Sequence, residues 1–145
     1  MIVFKALRKL ITILKSPIYT PFVRLLLFLN GVKTGRGLMV RGFIKVIVTR
    51  ERKVTIGQNL RINSGNNFNI IGRQQKTTLW VEGILTIGNN VGMSSTAIIC
   101  NQSISIGNHV TIGGNTVIYD TDFHSLDPRI RISNKDRQNA KKKPL

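Results

Sequence analysis

The sequence predicts an all-β fold, a parallel β-helix of hexapeptide repeats preceded by one or two N-terminal α-helices. Three observations carry this: a repeat in steps of six through the middle of the chain, an apolar and basic stretch ahead of it with helical spacing, and basic charge confined to the two ends.

The repeat is read from three stretches, Val54-Thr-Ile-Gly-Gln-Asn-Leu-Arg-Ile, Leu85-Thr-Ile-Gly-Asn-Asn-Val-Gly-Met and Ile104-Ser-Ile-Gly-Asn-His-Val-Thr-Ile. Each runs aliphatic, polar, aliphatic, Gly, polar, polar, aliphatic. Taking the second aliphatic as reference gives Ile56, Ile62 and Phe68, then Ile87, Met93 and Ile99, then Ile106, Ile112 and Ile118, in steps of six. Val54, Leu60, Leu85, Val91, Ala97, Ile104 and Val110 stand two positions earlier and extend the apolar row. A period of two within each short run indicates a strand, and the Gly-Asn or Gly-Gln after it indicates a turn that needs either positive φ or a small side chain. Three strand-and-turn units make one triangular coil, and stacked coils bury their inward aliphatics in a continuous column. An ordinary β-sandwich fits less well, since it predicts irregular spacing. The register slips between Phe68 and Leu85, so a loop insertion is expected at 70–82, with Arg73, Gln74, Gln75 and Lys76 as its polar part and Trp80 either packed on the coil edge, the favoured reading, or meeting a neighbouring subunit. The repeat domain is thereby expected over 32–124.

The first 31 residues form the helical part. From Ile2 to Lys15 the polar residues Lys5, Arg8, Lys9, Thr12 and Lys15 recur every three to four positions, opposite Ile, Leu, Val and Phe. Ser16-Pro17 is expected to stop this helix and Pro21 to open a second one through Leu29. Such a basic amphipathic segment suits peripheral contact with an anionic membrane surface. It equally suits a cover over the open end of the repeat column.

Charge sharpens the division. Residues 1–53 hold 12 basic and 1 acidic residue, residues 54–128 hold 3 and 4, and residues 129–145 hold 7 and 1. Aromatics are few and none interleaves with Lys or Arg at a stacking spacing, which argues against nucleic acid despite the formal charge of +16. The single Cys100 excludes an intrachain disulfide, and no Cys/His pair stands at ligand spacing, so no metal is expected. No cleavable leader is recognisable and no 18-residue apolar run is free of charge, so a cytoplasmic chain is expected, peripheral at the inner face of the membrane if the basic helix binds there.

After Ile118 the repeat gives way to Tyr-Asp-Thr-Asp-Phe-His-Ser-Leu-Asp-Pro-Arg-Ile-Arg. This loop, Asp120 to Pro128, placed after Ile-Gly-Asn-His-Val-Thr-Ile-Gly-Gly-Asn-Thr-Val-Ile, resembles the hexapeptide-repeat acyltransferases of the maltose/galactoside acetyltransferase-like branch, which includes capsule and O-antigen O-acetyltransferases. The resemblance covers nearly the whole chain. It implies a left-handed β-helix, a homotrimer with sites between subunits, acetyl-CoA as co-substrate with no permanently bound cofactor, and a carbohydrate acceptor. It further implies that His124 is the general base that takes a proton from a sugar hydroxyl during attack on the thioester, a role worth roughly 10²–10⁴-fold. Asp120, Asp122 and Asp127 are candidates for orienting the imidazole or binding acceptor hydroxyls, and the sequence does not choose among them. Ser94 stands near where galactoside-type members carry an acceptor Asn; corner filling by small residues explains Ser94 to Thr96 as well. His109, at a repeat turn, is read as a bystander. Family members continue past the basic segment at 129–145 with hexads that supply much of the acetyl-CoA cleft, so the resemblance implies a truncated chain whose activity is in doubt and leaves the donor-binding residues unassigned. The competing class is a nonenzymatic, inactive β-solenoid associated with the membrane surface.

Overall fold

The computed structural model describes residues 2–49, 53–69, 71, 75–133, 135 and 136, with backbone alone for 2, 3, 5, 8, 9 and 11–16. The chain forms a left-handed parallel β-helix behind one N-terminal helix. Helix α1 spans Ile2–Leu29. Among the described residues twelve short strands follow: β1 Lys33–Thr34, β2 Met39–Arg41, β3 Lys45–Val48, β4 Lys53–Ile56, β5 Arg61–Asn63, β6 Thr78–Val81, β7 Ile84–Ile87, β8 Gly92–Ser94, β9 Ala97–Cys100, β10 Ser103–Ile106, β11 Thr111–Ile112 and β12 Val117–Tyr119. A short helix α2, Pro128–Arg131, comes last. Every third strand joins the same sheet, giving three parallel four-stranded walls, β1-β4-β7-β10, β2-β5-β8-β11 and β3-β6-β9-β12. Four coils are therefore stacked into a triangular prism.

The alternation seen in the sequence fills the prism. Val54 and Ile56, Leu85 and Ile87, Leu60 and Ile62, and Val91 and Met93 point inward and are buried. Ile56, Ile87 and Ile106 stack in one register column, as do Ile62, Met93 and Ile112. On the third wall the six-residue count fails by one. Ile98 and Cys100 are buried there with Leu79 and Val81 of the coil below, whereas Ile99 turns outward beside Trp80. The corner before β9 is one residue short, since Met93 and Ile98 stand five positions apart where their register partners Ile112 and Ile118 stand six apart, and Ser95 at this corner adopts φ 43° and is fully buried. Because side chains alternate along a strand, a change of one residue in that corner moves the whole of β9 to the opposite facing.

Phe68 is not a coil position either. The chain leaves the prism after β5 and returns at Thr78, and Phe68 lies on this excursion with its ring 5.7 Å from that of Tyr19. The excursion folds along the prism edge far enough for Asn69 and Ile71 to crowd Gly114, two coils on. Its end overlaps the expected 70–82 segment, but Trp80 belongs to strand β6, 41% exposed on the outer wall, with its indole N–H donating to Glu82. Ile70, Arg73 and Gln74 lie outside the described residues, as do the basic tail from Arg137 to Leu145 and the side chains of Lys5, Arg8, Lys9 and Lys15.

The helix break expected at Ser16-Pro17 does not occur; α1 continues through Pro17 and Pro21. Each proline removes one backbone donor, but the two stand four residues apart on the exposed side of the helix, where water can reach the freed carbonyls. The second half of α1 is held by the coil. Val23 and Leu27 are fully buried on its first layer with Val32, Leu38 and Val40. The Thr20 hydroxyl accepts from the Val40 N–H at 3.0 Å and donates to the Val40 carbonyl, closing both groups on the free edge of β2. Tyr19 and Phe22 meet Phe43 edge-on at 5.0 and 5.3 Å. The helix thus caps one end of the column, which otherwise presents open strand edges.

Candidate functional site

The corner between the first and second walls repeats four times as Gly35, Gly57, Gly88 and Gly107, each followed two residues later by the turn residue Gly37, Asn59, Asn90 or His109. The left-handed conformation falls on that second residue, with φ of 58°, 56° and 58° at Asn59, Asn90 and His109. The first glycine answers a different need. A Cβ on Gly57 would stand 2.7 Å from the Gly88 carbonyl carbon, and one on Gly88 would stand 2.6 Å from the Gly107 oxygen. Coils approach too closely there for any side chain. His109 is the top of a polar ladder, Asn59 donating to Asn90 at 2.9 Å and the Asn90 amide meeting His109 Nε2 at 3.4 Å. Its place is architectural.

The other histidine is placed differently. β12 ends at Tyr119, and the chain from Asp120 to Asp127 runs as a loop off the end of the last coil before α2. Asp120 anchors the start of this loop. Its carboxylate accepts the backbone N–H groups of Asn101 at 2.5 Å, Gln102 at 2.8 Å and Ser103 at 2.6 Å, which form the corner between β9 and β10. A carboxylate so engaged is a cap on the coil below. It also faces the buried Cys100 thiol, whose pKa rises to about 11, from burial first and the Asp120 charge second.

Phe123 then adopts φ 60° and its ring packs at 5.6 Å from Tyr119, turning the chain outward. His124 follows, its side chain 51% exposed, with Nδ1 2.6 Å from Asp136 Oδ2. The other oxygen of Asp136 accepts the Ser125 N–H at 2.6 Å. An ionised carboxylate only accepts, so this contact places a proton on Nδ1, and in the neutral ring Nε2 is then the acceptor. Hydrogen bonding to His124 first, and to the Ser125 amide second, holds the Asp136 carboxyl below the usual carboxylate range. The loop and α2 together place this carboxylate, because Asp127 caps α2 by accepting the Arg129 N–H at 2.9 Å and Pro128 starts the helix.

Of the residues expected to serve the site, only His124 stands in this arrangement. Asp120 is bound to the corner below, Asp127 is the helix cap, and Asp122 is exposed. Ser94 ends β8 in register with Asn63, and its carbonyl accepts the Thr96 hydroxyl; no hydrogen bond joins it to the loop among the described residues. The residue that sequence reasoning missed is Asp136, twelve positions beyond His124. Its signal was faint: it is the only acidic residue among the seven basic ones of the C-terminal segment. Among the described residues no group of His, Cys, Asp and Glu could hold a metal ion. The fold is consistent with the left-handed β-helix acyltransferase superfamily. Family models, curated proteins and solved structures yield no match to this chain.

Proposed function

We propose that this protein is an acetyl-CoA-dependent O-acetyltransferase acting on a sugar hydroxyl in cell-surface polysaccharide biosynthesis, with His124 as general base and Asp136 as its positioning residue. The observation that carries this reading is the His124–Asp136 contact on a hexapeptide β-helix, with the His124 side chain 51% exposed. A sugar hydroxyl is a poor nucleophile near neutral pH. As it attacks the thioester carbonyl, Nε2 accepts its proton, and the imidazolium so formed is stabilised through Nδ1–H by the Asp136 carboxylate. Collapse of the tetrahedral adduct releases the CoA thiolate, which takes the proton back from Nε2. No covalent enzyme intermediate enters. The use of acetyl-CoA implies a cytoplasmic setting.

An exposed base needs a second wall to exclude water, and the third sheet offers one. On its outer face Ile47, Trp80, Ile99 and Tyr119 stand in a single register row, with Trp80 41% and Tyr119 55% exposed. This apolar row runs up to the His124 loop and supports a homotrimer in which a neighbouring copy closes the site. The test is thiol release from acetyl-CoA over a panel of sugar acceptors. His124→Ala should abolish acceptor-dependent release while sedimentation still reports the same assembly. Unchanged release in that variant would refute the reading.

A further inference from the structure

The exposed side of α1 carries Phe4, Leu7, Leu10, Ile18, Leu25, Phe28 and Leu29, each between 52% and 74% exposed, with Phe22 at its border, one ring edge on Phe43 and 53% exposed. At 100° per residue Phe4, Leu7, Ile18, Phe22, Leu25 and Leu29 fall within a sector of about 60°, so apolar side chains toward both ends of the helix share one strip. A helix that only capped the coil would bury Val23 and Leu27 and turn polar residues outward. Here the second half is apolar on both sides, and only one side is covered.

Charge selects the occupant. Helix α1 carries five basic residues, Lys5, Arg8, Lys9, Lys15 and Arg24, and the first acidic residue of the chain is Glu51. Lys33, Arg36 and Lys45 add exposed positive charge on the coil beside it. Two such helices would repel each other, which argues against a second copy. Where α1 meets β1, Pro21, Leu25, Phe28 and Val32 line an apolar groove that also includes Arg24 and Lys33. That combination, apolar depth with cations beside it, matches an acyl chain below a lipid phosphate. Among the described residues no helix is long and apolar enough to cross a membrane.

We infer that α1 is an in-plane anchor for an anionic lipid bilayer, its apolar strip buried at the acyl boundary and Arg24 and Lys33 engaging lipid phosphates. The coil-facing side holding Thr20, Val23 and Leu27 then ties the anchor rigidly to the first coil. This rests on the helix and its groove and is independent of the chemistry assigned to His124.

The full chain should float with vesicles of 30% phosphatidylglycerol in phosphatidylcholine and stay behind with phosphatidylcholine alone. Ile18→Ser/Leu25→Ser/Leu29→Ser should weaken flotation at least tenfold. Arg24→Glu/Lys33→Glu should weaken it by a similar factor and flatten its dependence on salt. All three variant positions of the strip are exposed, and protection of the buried Cys100 thiol from a thiol reagent verifies that each protein is folded. The inference is overturned if the full chain does not bind the anionic vesicles, if binding survives the serine variant, or if that variant changes the sedimentation mass instead, which would make a second copy the occupant.

Discussion

Asp136 holds His124 Nδ1 and the Ser125 amide at 2.6 Å each, one on either carboxylate oxygen, and so fixes both the ring and the backbone that carries it. Replacing it with Asn keeps the size but offers an N–H donor where the imidazole presents its own. Asp136→Asn should lower kcat by roughly 10–100-fold with little change in KM for the donor. A rise in KM alongside the fall in kcat would instead indicate a loop that had merely lost its shape.

The same contact sets an acid limit. Because the Asp136 carboxyl is held below its usual range, its contribution to the folded loop is present above the ordinary carboxylate pKa and is lost as pH falls through the lowered value. The loop should therefore keep its order at neutral and mildly acidic pH and loosen only in stronger acid. Chemical-shift titration of the Ser125 amide checks this, and Asp136→Asn should remove the acid transition.

Glycines at equivalent corners should differ sharply. Gly88→Ala drives a Cβ against the Gly107 backbone and should cost about 1–3 kcal/mol, or several degrees in thermal midpoint by circular dichroism. Gly107→Ala meets nothing within 4 Å and should leave the midpoint nearly unchanged. Equal effects would mean that conformational freedom, and not the approach of coils, is what these positions require.

Asp120→Ala removes the acceptor for three backbone N–H groups and should destabilise the last coil by about 1–3 kcal/mol. With the neighbouring charge gone, the Cys100 thiol also becomes easier to ionise. In the unaltered protein Cys100 should resist a thiol reagent at pH 8 until denaturant is added, and in Asp120→Ala labelling should begin at lower denaturant.

The sequence by itself determined the coil. Ile56, Ile62, Ile87, Met93, Ile106 and Ile112 are inward because a strand alternates its side chains and the chain returns to each wall after a set count, both local rules. His124 was singled out only by the resemblance of its loop, since by residue type alone a histidine in a polar loop reads as a bystander. Tertiary structure decided what depends on contacts between distant positions. A corner one residue shorter at Ser95 reversed the facing of β9, placing Cys100 inside and Ile99 outside. Contact with the first coil held α1 together across two prolines. Gly88 is small because Gly107 stacks over it, and Asp120 is a cap because the β9–β10 corner lies below it. The partner of His124 came from beyond α2, since the turn capped by Asp127 and Pro128 brings Asp136 back to the ring. Spacing gives which face a side chain takes, while the identity of its neighbour depends on how the chain closes on itself.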